Sequence, residues 1–122
     1  MKFLIIDTYY PSFLHKIRKD NINFNKKTYK YQLNYLLNQS FGTSDFYSYN
    51  LNKLGHSASD VIANDEILQR QWAKENNLRV KKSGLLSKVQ QLPFVHKFIG
   101  KPNWVQEIVL AQIKKEKPDI LY

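Results

Sequence analysis

The chain of 122 residues contains no cysteine. Disulfide scaffolds, thiolate zinc sites and cysteine nucleophiles are thereby excluded, and a reducing compartment fits the composition. Glycine and proline are sparse, four of each, and no low-complexity tract or internal repeat is found. The first apolar segment is not followed by Gly-x-Gly-x-x-Gly, and neither a Walker loop nor a Gly-x-Ser-x-Gly elbow occurs. Long apolar runs are missing as well. No stretch reaches the roughly 20 residues of a membrane span. The N-terminal run is short and ends in Asp7 with no small-residue cleavage site behind it, unlike a signal peptide. A soluble, cytoplasmic protein is the expectation, with the inner membrane face as a surface it could lie against.

Acidic residues are also few, 10 against 19 Lys and Arg, for a formal charge of +9. Between Asn76 and Gln106 there is none. Such a balance favours anionic partners, whether nucleic acid, acidic lipid or phosphorylated small molecules, although a lysine- and asparagine-rich coding bias would give the same number. The three histidines, His15, His56 and His96, are far apart and lack neighbouring carboxylates at ligand spacing, so no metal site is expected.

What is present begins with Lys2-Phe3-Leu4-Ile5-Ile6-Asp7. Four consecutive apolar residues read as a strand buried on both faces, the pattern of a parallel sheet. The loop Thr8-Tyr9-Tyr10-Pro11-Ser12 then leaves its carboxyl end, where ligands bind in open α/β sheets. A short helix is predicted over 12–19, followed by an exposed asparagine-rich loop to residue 27. A helix is predicted over 28–41, capped by Thr28 and stopped by Gly42, with Tyr29, Leu33, Leu36, Leu37 and Phe41 on its inner face. Thr43, Ser44 and Asp45 can start another, with Tyr47, Leu51 and Leu54 inward, Phe46 and Tyr49 alongside, and Gly55 ending it. That start is an anion-friendly helix N-terminus.

The second strand is predicted at 58–64, after a Gly55-His56 turn in which His56 is structural. Asn64 is expected to cap a helix over 65–76 whose apolar face is Ile67, Leu68 and Trp72. Residues 79–102 read as a basic helical insertion or flap. The last helix starts at Asn103 with Gln106 as capping-box partner, is apolar over a broad arc, and ends at Pro118 before a strand at Asp119-Ile120-Leu121-Tyr122. The fold class is α/β, a short parallel sheet flanked by helices. A receiver- or flavodoxin-like domain would need more strands than this length supplies.

The first strand, the words Phe41-Gly42-Thr43-Ser44-Asp45-Phe46-Tyr47, the segment Leu54-Gly55-His56-x-Ala58-x-Asp60-Val61-Ile62-x-Asn64, and the tail Trp104-x-x-Glu107-Ile108 closing on Lys117-Pro118-Asp119-Ile120-Leu121-Tyr122 resemble the N-terminal half of a bacterial GT-B glycosyltransferase of the family 4 type. The resemblance implies that residues 1–122 are an incomplete, partial Rossmann-like domain on the acceptor side of a two-domain enzyme. It implies a nucleotide-sugar donor held by a missing second domain, a sugar or lipid-linked acceptor, inactivity of this piece alone, and no cofactor. Tyr9-Tyr10-Pro11 departs from the small residues many relatives carry at the first loop, and no catalytic base carries over.

The residues expected to contact substrate are Asp7, Tyr9, Tyr10, His15, Ser44 and Asp45. Asp7 could orient a ligand hydroxyl or cap the turn behind it. One or both of Tyr9 and Tyr10 should be exposed for stacking. Arg79, Lys81, Lys82 and Lys88 are the expected contacts to an anionic surface. The rival expectation is a basic nucleic-acid-binding or regulatory α/β module, interrupted by Asp45, Asp60, Asp65 and Glu66 and lacking any binding motif.

Overall fold

The computed structural model describes residues 1–80 and 103–122. Strand β1 (Lys2–Asp7) is followed by helices α1 (Pro11–Asp20), a 3-10 turn at Phe24–Lys26, α2 (Tyr29–Leu37) and α3 (Phe46–Lys53). Strand β2 (Ser57–Ile62), helices α4 (Glu66–Glu75) and α5 (Asn103–Glu116), and strand β3 (Ile120–Leu121) complete the described chain. The sheet has the order β2-β1-β3, and both pairings are parallel. The protein is therefore α/β, with a small three-stranded parallel sheet flanked by helices.

Leu4 and Ile5 point to opposite faces of β1 and both are buried. The central strand is thus covered on both sides, as its unbroken apolar run requires. β3 lies beside it with Phe3 opposite Ile120 and Leu4 opposite Leu121. The junction is fixed by polar contacts: the Lys2 amide donates to Asp119 Oδ2 at 2.7 Å, the Asp119 amide returns to the Lys2 carbonyl at 2.8 Å, and Lys2 Nζ pairs with Glu116 at 2.8 Å. The outer edge of β2 is partly closed by Asn52. Its side-chain amide bonds both the N–H and the C=O of Ala58 at 2.9 Å, imitating a further strand.

The main apolar cluster joins Tyr9, Leu14, Ile17, Phe24, Leu36, Ile62 and Leu68. A second cluster, Trp72, Ala73, Trp104 and Ile108, holds α5 against α4. Between α1, α2 and α4 sits a buried ion pair, Arg18 with Asp65, whose side chains are 11% and 3% exposed. Arg18 also donates to Gln32 Oε1 at 3.2 Å and Asn25 Oδ1 at 2.5 Å, and its guanidinium lies 5.2 Å from the centre of the Phe24 ring. Asp65 Oδ1 accepts the Leu68 amide and so caps α4.

Several expectations change here. The segment after α1 is not simply an exposed loop, because Phe24 is buried on its 3-10 turn. Helix α2 stops at Leu37, before Gly42; Gln39 Nε2 and Ser44 Oγ take the carbonyls of Tyr35 and Leu37, and Phe41 turns to stack on Phe13 at 4.2 Å. Its buried face is Gln32 and Leu36. In and just after α3 the expected core residues are outside: Phe46, Tyr47, Tyr49 and Leu54 are all exposed, and the buried residue is Ser48. The cap of α4 is Asp65, not Asn64, and Ile67 faces outward while Gln69 faces in. In α5 the expected Trp104 and Ile108 do face inward, joined by the buried Gln112, while Leu110 is exposed. Gly55 does end α3: at φ +86° it allows the His56 amide to reach the Leu51 carbonyl and its own amide to reach Asn52. His56 then packs edge-on to Phe3 at 5.5 Å.

Asn64 serves the loop after β1 instead. Its amide donates to the Tyr9 carbonyl at 2.6 Å and accepts the Tyr9 N–H at 2.9 Å. We expect Asn64→Ala to lower stability by about 1–3 kcal/mol, because both Tyr9 backbone groups lose their partner where water has little access. Urea denaturation followed by circular dichroism measures this.

Candidate functional site

In the order β2-β1-β3, the chain leaves β1 to one side and later returns past it to the other. A parallel sheet opens a crevice at such a switch point, outside the carboxyl ends of its strands. Here that edge is formed by Asp7 and the loop 8–10, by the turn 43–45 that starts α3, and by Tyr122.

Three carboxylates gather at it. The register sets Ile5 opposite Asp60 and Asp7 opposite Ile62, so the side chains of Asp7 and Asp60 share one face, two positions apart. Asp7 Oδ1 accepts the Thr8 amide at 2.7 Å and Oδ2 accepts the Thr43 hydroxyl at 3.2 Å. The Ser48 hydroxyl bonds Asp60 Oδ2 and lies 3.1 Å from the Asp45 carbonyl, which ties the start of α3 to β2. Asp45 occupies the N-cap position of α3, but its carboxylate makes no capping bond.

Burial raises the pKa of Asp60 above the usual carboxylate value, Asp45 and Asp7 push it the same way, and the bond from Ser48 opposes them. A carboxyl whose folded pKa exceeds its unfolded value holds its proton more tightly when folded. Its ionisation therefore costs stability as pH rises from the ordinary carboxylate value of 3.8 through the raised folded value. Asp60→Asn should remove that part of the pH dependence, so that wild type and variant converge on acidification and the variant is the more stable near neutrality. Urea midpoints across the acid range test this; parallel curves would contradict it.

The sequence-derived site residues fall into different surroundings. Asp7 and Asp45 are half-buried at the crevice, and Tyr10 is 71% exposed beside it, its ring 5.5 Å from Phe41. Tyr9 is 2% exposed; its ring belongs to the core against Phe13 and Phe41 and is not available for stacking on a ligand. Ser44, at φ +48°, donates its hydroxyl to the Leu37 carbonyl and closes the end of α2. His15 is exposed on the outward side of α1, turned from the face that buries Leu14 and Ile17. Arg79 is exposed, whereas Lys81, Lys82 and Lys88, with most of the predicted flap over 79–102, lie outside the described residues.

Sequence reasoning missed Thr43, Ser48, Asp60 and Tyr122 as members of this cluster and gave Tyr47 to the core on its helical spacing. The last two rings lie 5.1 Å apart, with Tyr47 also edge-on to Phe46 at 5.5 Å. The alternation within Ser57–Ile62 could have flagged Asp60, since a carboxylate in a strand needs a partner.

The N-terminus of α3 is not anion-friendly in place. Asp7, Asp45 and Asp60 surround it with negative charge, which outweighs the roughly half-unit positive end of a short helix dipole. Among the described residues, no group of three or more His, Asp or Glu converges to hold a metal ion, and no helix is long and apolar enough to cross a membrane. No protein-family model, curated protein or solved structure matches the chain.

Proposed function

We propose that this chain is the acceptor-binding α/β half of a sugar-transferring enzyme, the role that its resemblance to GT-B glycosyltransferases implies. The observation that carries the reading is the pairing of exposed aromatic faces with oxygen-rich groups at one sheet edge. Tyr10 is exposed in the loop after β1, the exposed rings of Tyr47 and Tyr122 lie 5.1 Å apart where α3 meets the end of β3, and Asp7 accepts the Thr43 hydroxyl at the same end of the sheet. Sugars present an apolar C–H face that stacks on such rings and hydroxyls that donate to carboxylates. A nucleotide-activated donor would be held by a second α/β domain, where cations or helix N-termini meet the leaving diphosphate. The acidic edge is the wrong sign for that task and for a nucleic-acid backbone.

Calorimetric titration with a panel of neutral oligosaccharides, and with single-stranded RNA at low and high salt, tests the proposal. Sugar binding that falls by about tenfold in Tyr10→Ala is the expected result. Strong, salt-sensitive RNA binding without sugar binding would replace this reading with the nucleic-acid one.

A further inference from the structure

A cleft of about 240 Å3 lies between the end of α1 and the 3-10 turn before α2, and shares no residue with the sheet-edge site. Pockets for drug-sized ligands run from about 300 to 1,000 Å3, so this one suits something smaller. Its floor is fixed. Arg18 is held by Asp65, Gln32 and Asn25 and lies over Phe24, which is 3% exposed. Asn21 donates to the Ile17 carbonyl at 2.8 Å and accepts the Tyr35 hydroxyl at 3.1 Å. The rim, by contrast, carries unspent donors. Lys19, Asn23 and Lys26 are exposed, and among the described residues their side chains have no hydrogen-bond or ion-pair partner. Asn25 uses only its oxygen, on Arg18, so its Nδ2 is available as well. Lys19 in the last turn of α1 also meets the negative end of that helix. Lys26, on a three-residue 3-10 turn, has no comparable dipole to answer.

The charges select the ligand. Every ionisable group lining the cleft is a cation. Asp65 offsets Arg18, which leaves Lys19 and Lys26. Around them the sequence from 15 to 30 holds Lys16, Lys27 and Lys30 against one acid, Asp20, so the field stays positive beside the neutral ion pair. Cations are repelled there. Two ammonium groups and two primary amides offer only donors to an anion, and they come from separate residues around one rim. A phosphate monoester matches them: it carries about −1.5 to −2 near pH 7 and three acceptor oxygens. A carboxylate brings one charge and two oxygens, and so leaves part of the rim unused.

We propose that this cleft binds a phosphate monoester, with Lys19 and Lys26 on the phosphoryl oxygens and the amides of Asn23 and Asn25 on those or on neighbouring hydroxyls. The phosphoryl group can belong to a soluble molecule or to a lipid head group, and the experiment separates the two. The site is independent of the sugar-acceptor reading, and neither falls with the other.

The test is amide-resolved NMR titration of the whole chain with glucose 6-phosphate, inorganic phosphate, glucose and a short single-stranded RNA, together with co-sedimentation on vesicles containing phosphatidic acid. Glucose 6-phosphate should shift amides within 18–27 with a Kd of about 0.1–1 mM, inorganic phosphate should shift the same amides, and glucose should shift none. Lys19→Gln and Lys26→Gln should each weaken binding about three- to tenfold. Asn23→Gly, which keeps the left-handed backbone at φ +66°, should weaken it about two- to threefold. Lys53→Gln, outside the cleft, should change nothing. All four residues are exposed, so native circular dichroism is expected throughout. Binding of glucose 6-phosphate supports the site with a soluble ligand. Binding to the vesicles alone, lost in the Lys19→Gln, Lys26→Gln double variant, supports it with a lipid head group. Equal shifts with glucose, shifts indifferent to both lysine variants, or no response to any phosphate would overturn the proposal. RNA binding at these amides without glucose 6-phosphate binding would replace it with a polynucleotide surface.

Discussion

Arg18→Met is expected to lower the unfolding free energy by about 3–5 kcal/mol, the largest loss anticipated from one exchange in this chain. The methionine keeps the aliphatic stem and removes the guanidinium. Asp65 would then remain almost wholly buried with its charge facing no cation. Gln32 Oε1, on a fully buried side chain, would lose its donor in the same step. Asp65→Asn keeps an oxygen for the Leu68 amide and so keeps the cap of α4, while leaving Arg18 unpaired. The pair Arg18→Met with Asp65→Asn should be less damaging than the sum of the singles, because the double variant buries no charge at all. Urea unfolding of the three proteins measures the coupling. A single-variant loss below about 1 kcal/mol would show that the pair is solvated in solution and is not the clamp between α1, α2 and α4 described above.

Leu36→Ala should cost about 2–5 kcal/mol, whereas Leu37→Ala should cost about 1 kcal/mol or less. Leu36 is 0% exposed within the main cluster, and Leu37 is half-buried at the end of its helix. The contrast is informative because the two leucines are adjacent and both lie in the stripe predicted from sequence. Equal losses would mean that α2 is rotated from the orientation seen here. Thermal melts of both variants, with native far-UV circular dichroism as the control, decide it.

These two cases also show where sequence reasoning ran out. The stripe Tyr29, Leu33, Leu36, Leu37 and Phe41 was legible, but its centre was misplaced because Gln32, a polar residue, carries no apolar signal. Gln32 is buried with its amide spent on the Lys27 carbonyl at 2.8 Å and its oxygen on Arg18. Gln69 repeats the pattern, donating to the Ile62 carbonyl at 2.9 Å, and Gln112 reaches the Tyr29 hydroxyl at 3.4 Å. Polar side chains whose partners lie on other elements cannot be placed from periodicity alone. Their inward turn displaces apolar neighbours outward, as with Ile67 and Leu110.

Helix α3 is the sharper instance. Its aromatics carry the spacing of a core face, yet they stand in solvent because Ser48 turns toward Asp60. That single polar contact set the rotation of the helix, and with it exposed Tyr47 next to Tyr122 at the candidate site. For the site, Asp7, Tyr10 and Asp45 were legible from their place after the first strand and at a helix start. Asp60 and Ser48 were not, since they meet across two elements that are twelve residues apart.

The sequence by itself determined the first strand, buried on both faces, parallel neighbours placed at 58–64 and 119–122 within two residues of where they lie, and the order of helices between them. Unbroken apolar runs, cap residues and glycine stops are local signals, and local signals suffice for elements. Only the tertiary structure decided which face each helix turns inward, that Tyr9 is core while Tyr10 is free, and that three aspartates gather at one edge of a basic chain. Those outcomes follow from satisfying buried polar groups across distant segments, a condition that exists only once the segments have met.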